Sequence, residues 1–149
     1  METKRKIQRF EDLIVSLKAM CLAEELYRVT NQGEFAKDWG LKNQIQRAVV
    51  SIPSNIAEGY GRFSNKDFKH FLAIANGSAN ELRTQVQLAA NIGYIDREIA
   101  AQLVEKCVEV SKMLKGLRAK ISAWFLVLVP GQGTRHQVLG TASQPQFPA

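Results

Sequence analysis

The sequence has 149 residues, of which 46% are hydrophobic and 23% charged, and its formal net charge is +6. This length suits one domain, and the positive charge favours a polyanionic partner without requiring one. The longest apolar run, residues 123–129, is far shorter than the roughly 20 residues that span a membrane; with no signal-peptide pattern before Glu11, we expect a cytoplasmic protein.

The first predicted helix runs from about Arg9 to about Thr30. Its apolar residues recur every three or four positions, as on one face of an α-helix, and are predicted to be buried. These residues are Phe10, Leu13, Ile14, Leu17, Met20, Cys21 and Tyr27. The segment Asn31-Gln32-Gly33 is predicted to end the helix, and the loop that follows carries Phe35 and Trp39.

The second predicted helix contains Pro53 within an unbroken helical stripe of apolar residues. The stripe consists of Ile45, Ala48, Val49, Ile52 and Ile56. A proline inside a helix removes one backbone donor and costs about 3 kcal/mol, so two readings are open. Either one helix from about Asp38 to about Ala57 is kinked at Pro53, or a new helix begins there with Ser51 as its cap. The constant phase of the stripe favours the kinked helix.

Polar and small residues around this proline are predicted to support the helix and to end it. Ser51, Ser54 and Asn55 are candidates to hydrogen-bond the groups that a kink leaves unpaired. Gly59 is predicted to end the helix in a left-handed conformation, and Gly61 keeps the following turn tight.

The third predicted helix begins after Ser64, a candidate N-cap with Asp67 in a variant of the capping box. Its inward stripe is Phe68, Phe71, Leu72, Ala75, Ala79, Leu82, Val86 and Ala89. Gly77 costs about 1 kcal/mol inside a helix, and close packing of a neighbouring helix is the predicted compensation. Gly93 is predicted to end this helix.

The fourth predicted helix follows Asp96 and has a long apolar side. Its core residues are predicted to be Ile99, Leu103, Cys107, Val110, Leu114, Leu117, Ile121 and Trp124. Both cysteines, Cys21 and Cys107, therefore lie on apolar stripes and are predicted to be reduced core thiols. From Pro130 onward the composition turns to polar residues, glycine and proline, so residues 130–149 are predicted to be a disordered tail.

Four amphipathic helices with short connections predict an all-α protein, an antiparallel up-down-up-down four-helix bundle over residues 1–129. In that topology the start of the first helix, the turn between the second and third, and the end of the fourth meet at one basic end. The nucleic-acid-binding candidates at this end are Arg62, Lys66, Lys69, Lys112, Lys115, Arg118 and Lys120.

A basic end of this kind favours binding to RNA or DNA, because lysine and arginine contacts to phosphates release counterions. The alternative is that the lysines of the fourth helix complement its negative C-terminal dipole. No zinc-finger spacing, RNP-like aromatic signature or helix-turn-helix is recognisable in the sequence. Contacts to the nucleic-acid backbone are therefore favoured over contacts to base edges.

A second set of residues is predicted to serve the fold: Arg47, Ser51, Pro53, Asn55, Glu58, Gly59, Ser78 and Glu81. If the second and third helices are antiparallel, Arg47 lies within reach of Glu81. We therefore predict a partly buried ion pair between them, structural rather than catalytic, with Ser78 as a possible hydrogen-bond partner.

No catalytic, metal or cofactor site is predicted. The two histidines are His70 on the third helix and His136 in the tail, and no cluster of His, Cys and Asp has metal-ligand spacing. No serine lies in a nucleophile elbow, and residues 131–133 lack the ending of a phosphate-binding loop. We therefore predict that the protein is not an enzyme and has no cofactor.

The dodecapeptide SIPSNIAEGYGR at residues 51–62 carries a resemblance to a known family of small bacterial four-helix proteins. These proteins are encoded inside intervening sequences of 23S ribosomal RNA genes, and the family includes the accessory variability proteins of diversity-generating retroelements. The resemblance covers about Phe10 to Ile121. Further residues that carry it are Ser64 to Phe68, Phe71-Leu72, Ile74-Ala75, Gly77-Ser78 and Glu81-Leu82.

The resemblance implies a four-helix protomer in a ring-like homo-oligomer, a pentamer, that binds nucleic acid and has no known catalytic reaction. A protein partner such as a reverse transcriptase would make it an adaptor. Family members commonly carry an acidic residue where this chain has Arg83, so binding surfaces are not expected to transfer unchanged.

We therefore predict an oligomeric, non-enzymatic protein that binds RNA or DNA. The alternative is a structural or protein-interaction oligomer without nucleic-acid binding. Exposed aromatic residues, Trp39, Tyr60 and Phe63, form a candidate self-association patch, although they are also placed to cap the bundle core.

Overall fold

The computed structural model describes residues 13–127, with side chains described to residue 121. This part of the chain folds into α1 (Ile14–Thr30), α2 (Trp39–Tyr60), α3 (Asn65–Ile92) and α4 (Arg97–Val127), with a short 3-10 helix at Phe35–Lys37. No strand occurs between residues 13 and 127, so the predicted all-α four-helix fold is confirmed. The predicted start at Arg9 and the predicted tail, residues 130–149, lie outside the described residues.

Contacts between neighbouring helices close them into an antiparallel bundle. α2 packs against α1 and α3, and α4 packs against α3 and α1. Two salt bridges join α1 and α4 in antiparallel register: Lys18 Nζ lies 2.6 Å from Glu109 Oε1, and Glu25 further along α1 pairs with Lys106 earlier in α4. Among the described helices, none is long and apolar enough to cross a membrane, and the cytoplasmic location stays a prediction.

The core consists of aliphatic side chains from all four helices, and α2 presents the stripe that its sequence predicts. On α1 the buried residues are instead Val15, Ser16, Ala19, Leu22, Ala23, Leu26 and Thr30. The predicted burial of Ile14, Leu17, Met20, Cys21 and Tyr27 is therefore wrong, because all five are exposed. The physical reason is that α1 carries apolar residues on two faces, and periodicity alone does not say which face meets the bundle.

α2 is a single helix that continues through Pro53, so no new helix begins there, and the kink at Pro53 stays a prediction. The side-chain amide of Asn55 donates to the Ser51 carbonyl at 2.7 Å and to Ser51 Oγ at 2.9 Å. Ser51 Oγ also hydrogen-bonds Ser78 Oγ of α3 at 2.9 Å, whereas Ser54 is exposed. The polar residues beside the proline therefore support α2 internally and join it to α3.

The end of α2 differs from the prediction, because Gly59 is a buried helical residue rather than a left-handed stop. A Cβ atom at Gly59 would lie 2.7 Å from Phe71 Cβ and 3.0 Å from Phe68 Cδ2 of α3. The missing side chain therefore lets α2 and α3 approach closely beside their connecting turn. The predicted close packing at Gly77 is wrong, since a Cβ atom there would meet no described atom within 4 Å.

The two ends of α3 are confirmed as predicted. Ser64 Oγ accepts a hydrogen bond from the Asp67 backbone N–H at 3.1 Å, and Gly93 ends the helix in the left-handed region with φ at 96°. On α4, Ile99 is exposed, so its predicted burial is wrong. The side chain of Trp124 lies outside the described residues.

One end of the bundle is held by contacts between the α1–α2 loop and the α3–α4 turn. Asp38 caps α2 by accepting from the Leu41 N–H at 3.0 Å, and its second oxygen accepts from the Tyr94 hydroxyl at 2.9 Å. Both hydrogen bonds lower the pKa of Asp38, and the bond from the Leu41 N–H has the larger effect. Tyr94 also stacks on Phe35, with ring centres 5.1 Å apart. The α2–α3 turn and the last turns of α4 therefore lie at the opposite end.

The two cysteines have different surroundings. Cys21 is exposed on α1, so its predicted core position is wrong, whereas Cys107 is buried in α4 as predicted. Burial raises the pKa of the Cys107 thiol to about 12. This thiol is therefore protonated and shielded at neutral pH, and thiols in that state react slowly.

We expect an aromatic disulfide reagent to titrate one thiol in the folded, dissociated protomer and both thiols in urea. Cys21→Ser is the control and should remove the fast-reacting thiol. Stability should also fall as pH rises from about 8.5, where an unfolded thiol ionises, towards 12, because the unfolded chain loses this proton first. Two fast-reacting thiols in the native protein would contradict the burial of Cys107.

Candidate nucleic-acid interface

The lysines predicted to bind nucleic acid are accessible in the bundle. Lys66, Lys112, Lys115 and Lys120 are exposed, and Lys69 is half-buried. Within residues 13–121, none of these five lysines takes part in a salt bridge. Their charges are therefore available to a ligand.

Arg62, the candidate in the α2–α3 turn, already has partners within the chain. Its Nη2 atom lies 2.6 Å from Glu58 Oε1, one helical turn earlier. Its guanidinium carbon lies 5.0 Å from the ring centre of Phe71 on α3. Glu58 thus holds Arg62 against the bundle, and Arg62 offers less free charge than the lysines do.

α3 and α4 meet along a groove whose register is marked by one hydrogen bond. Ser111 Oγ of α4 donates to Asn76 Oδ1 of α3 at 2.5 Å, and Ser111 is buried. Residues seven positions apart lie on the same side of a helix, about 10 Å apart. The α3–α4 groove is therefore lined by two antiparallel rows, Lys69, Asn76 and Arg83 on α3 and Arg118, Ser111 and Val104 on α4.

Arg83 is a basic residue of this groove that sequence reasoning does not place among the ligand contacts. It is exposed and lies close enough to α4 to act on Cys107, where its charge lowers the thiol pKa against the larger raising effect of burial. Lys115 lies one turn beyond Ser111 and on the same side of α4. The groove therefore carries basic side chains from its end to its middle.

Lys120 lies on a different side of α4 from the groove. It follows Lys106 by two heptads, and Lys106 pairs with Glu25 of α1, so Lys120 lies along the α1 side. Glu58 and Asp67 also add negative charge near the α2–α3 turn. The α4 residues predicted to lie at one basic end therefore divide between two sides of this helix.

The predicted ion pair between Arg47 and Glu81 is wrong for the described structure. Both residues are exposed, and no salt bridge between described residues joins them. Glu81 Oε1 instead accepts from Gln85 Nε2 at 3.1 Å, and Ser78 bonds to Ser51 of α2. The two helices thus meet through short serine side chains, while the longer charged ones extend into solvent.

α1 presents an exposed apolar surface, which we call the α1 outer face. It consists of Ile14, Leu17, Met20, Cys21 and Tyr27. Ile14 is 64% exposed and Leu17 is 54% exposed, and both line a surface cleft of about 290 Å³ between α1 and α4. Exposed apolar patches on a protein mark sites of protein interaction, so this face favours contact with another protein surface.

The aromatic residues predicted to form a self-association patch do not lie together. Trp39 begins α2, whereas Phe63 follows its other end and is 84% exposed. Tyr60 is half-buried and packs edge-on against Phe68. Within residues 13–121, the candidate surface for self-association is therefore the α1 outer face rather than an aromatic patch.

Comparison with known proteins agrees with this fold. A family model described as 23S rRNA-intervening sequence protein matches residues 11–116. The chain is also similar to a crystal structure of a protein with unknown function from the S23 ribosomal protein family of Bacteroides thetaiotaomicron VPI-5482. That match has a TM-score of 0.66 and 28% sequence identity and covers 70% of this chain and 98% of the other. No curated protein matches the sequence.

The family model spans α1, α2, α3 and most of α4, and it includes the SIPSNIAEGYGR segment. The resemblance expected from that segment is therefore confirmed. The chain belongs to the family of 23S rRNA-intervening sequence proteins.

Proposed function

We propose that this chain is an oligomeric, non-enzymatic protein that binds RNA or DNA through basic side chains where α3 meets α4, near the α2–α3 turn. The observation that carries the proposal is a group of lysines without a salt-bridge partner among the described residues: Lys66, Lys69, Lys112 and Lys115. Lysines of this kind neutralise phosphates and release counterions on binding. Because the family is named for a 23S rRNA intervening sequence, RNA is the first ligand to test.

Self-association is the second part of the proposal, and the α1 outer face supports it. An apolar surface with residues such as Ile14 and Leu17 more than half exposed favours a protein contact. An oligomer would repeat the basic surface and strengthen binding to a long ligand through avidity. A pentameric ring, and an adaptor role for a partner such as a reverse transcriptase, rest on the family resemblance.

The test of nucleic-acid binding is a titration with structured RNA and duplex DNA over a range of salt concentrations. We expect affinity to fall steeply as salt rises. The double variant Lys112→Glu/Lys115→Glu should bind more weakly and lower the salt slope by about 1 for each lost phosphate contact. Lys37→Glu is the control for general charge, because Lys37 is also exposed but pairs with Glu34 outside the basic surface.

Two outcomes would contradict this assignment. The double variant changes the net charge twice as much as Lys37→Glu does. A loss of binding free energy in Lys37→Glu of half that in the double variant would therefore mean that general charge, not the α3–α4 surface, determines binding. An oligomer that binds nothing at low salt would favour the alternative function, a structural or protein-interaction oligomer, for which the α1 outer face is the relevant surface.

A further inference from the structure

We infer that the ligand is a nucleic-acid duplex whose backbone lies along the α3–α4 groove, and that Arg83 is one of its contact residues. This inference rests on the proposed function. It adds the path of the ligand along the bundle, the class of ligand and one further contact residue. The competing geometry is end-on binding, in which the ligand covers the α2–α3 turn and the last turns of α4.

Basic side chains follow the groove instead of gathering only at its end. From Lys69 to Arg83 the groove is about 20 Å long, given a rise of 1.5 Å per residue. Asp67, beside Lys66 at the α2–α3 turn, is the acidic residue nearest to the end of this groove. Of the other nearby carboxylates, Glu81 is bonded to Gln85, and Glu109 pairs with Lys18 of α1. The basic residues that line or border this half are Lys66, Lys69, Arg83, Lys112, Lys115 and Arg118.

The positive surface ends at about the level of Arg83. Beyond Val104 the groove opens into a cleft of about 560 Å³, where Arg97 is accompanied by Glu105. Glu98 lies one heptad before Glu105 and on the same side of α4, so two carboxylates accompany one arginine there. The basic half of the groove thus corresponds to about six base pairs of duplex at 3.4 Å each.

The side chains of the groove fit a duplex better than a single strand. Among the described residues, the two rows contain no aromatic side chain, and proteins that bind single strands commonly stack bases on aromatic rings. The middle of the groove is instead formed by the short side chains of Asn76, Ser111 and Val104. A rigid duplex can lie over these short side chains, and its phosphates can contact basic side chains of both helices.

The experiment measures binding of Arg83→Glu to an RNA duplex, to a DNA duplex of the same sequence, and to one of the single strands. We expect duplex affinity to fall roughly tenfold and the salt slope to decrease by about 1. Arg97→Glu is the matched control, an exposed arginine on the same groove beyond its basic half. Lys120→Glu tests end-on binding, and both of these variants should bind like the wild type.

Arg83→Gln keeps the test decisive if Arg83→Glu fails to fold, because it removes the charge without reversing it and should give a smaller loss in the same direction. Unchanged duplex affinity in both Arg83 variants would contradict binding along the α3–α4 groove, and so would a larger loss of affinity in Lys120→Glu than in Arg83→Glu. Neither result would contradict the proposed function. Equal binding of the single strand overturns the ligand class. If the wild type binds none of the probes, the proposed function itself is wrong. If the wild type prefers one duplex and this preference depends on Arg83, the inference is supported and the preferred duplex shows whether the ligand is RNA or DNA.

Discussion

Replacing Gly59 with alanine is expected to destabilise the bundle by up to about 2 kcal/mol. The new Cβ atom would lie 2.7 Å from Phe71 Cβ and 3.0 Å from Phe68 Cδ2. Because Phe71 Cβ is bonded directly to the α3 backbone, only a shift of one helix relieves the first contact. Overpacking of this kind costs about 1–3 kcal/mol, which exceeds the ~1 kcal/mol that alanine gains over glycine within a helix.

Gly77→Ala is the matched control, since it makes the same change inside a helix where no described atom lies within 4 Å of the new Cβ. It should stabilise the protein by about 1 kcal/mol. Urea denaturation followed by circular dichroism, at one protein concentration because association adds to apparent stability, compares the two variants. Equal stability of both variants would contradict the close approach of α2 and α3 at Gly59.

The sequence predicts α2 and α3 well, because their signals agree with one another. The apolar stripe of α2 keeps its phase through Pro53, and the helix continues there. Ser64 and Gly93 mark the two ends of α3 through a cap hydrogen bond and a left-handed backbone. The apolar stripe, the capping serine and the terminal glycine each favour one local structure, and that structure is the one the fold contains.

The errors occur where one signal is compatible with two structures. α1 has apolar residues on both sides, and only packing decides that Leu22 and Leu26 are buried while Leu17 is exposed. A glycine near a helix end can end the helix in a left-handed conformation, or it can let another helix pack closely against it. Gly59 has the second role, because α3 packs against it. Neither choice can be made without the neighbouring helices.

For the candidate site, the sequence predicts which residues are basic and exposed but not how they are arranged. Lys69 and Arg118 are expected near each other from topology alone. The position of Arg83 beside α4 depends on the register of the two packed helices, which the Asn76–Ser111 hydrogen bond marks. The same limit explains the wrong ion pair, since topology alone does not decide whether two long side chains at the same level of a bundle bond to each other or extend into solvent.

A charge on the α1 outer face is expected to dissociate the oligomer without unfolding the protomer. Leu17 is 54% exposed, so Leu17→Asp leaves its carboxylate in water in an isolated protomer. In an interface the same carboxylate would have to be desolvated without a partner. A change at a central interface residue costs about 2 kcal/mol or more, which is about 30-fold in the association constant. Light scattering over a range of protein concentrations measures this shift.

Leu88→Asp is the matched control, because Leu88 on α3 is a leucine of similar exposure, 47%, outside the α1 outer face. It should leave the mass unchanged. Dissociation by Leu88→Asp alone would move the interface to α3, and a wild-type monomer at micromolar concentration would contradict self-association altogether. α3 packs on α2 and α4, so the α3–α4 groove should stay intact in a monomeric Leu17→Asp protein. That variant should still bind a duplex, but more weakly than the wild-type oligomer does. The difference in affinity measures the avidity of the assembly.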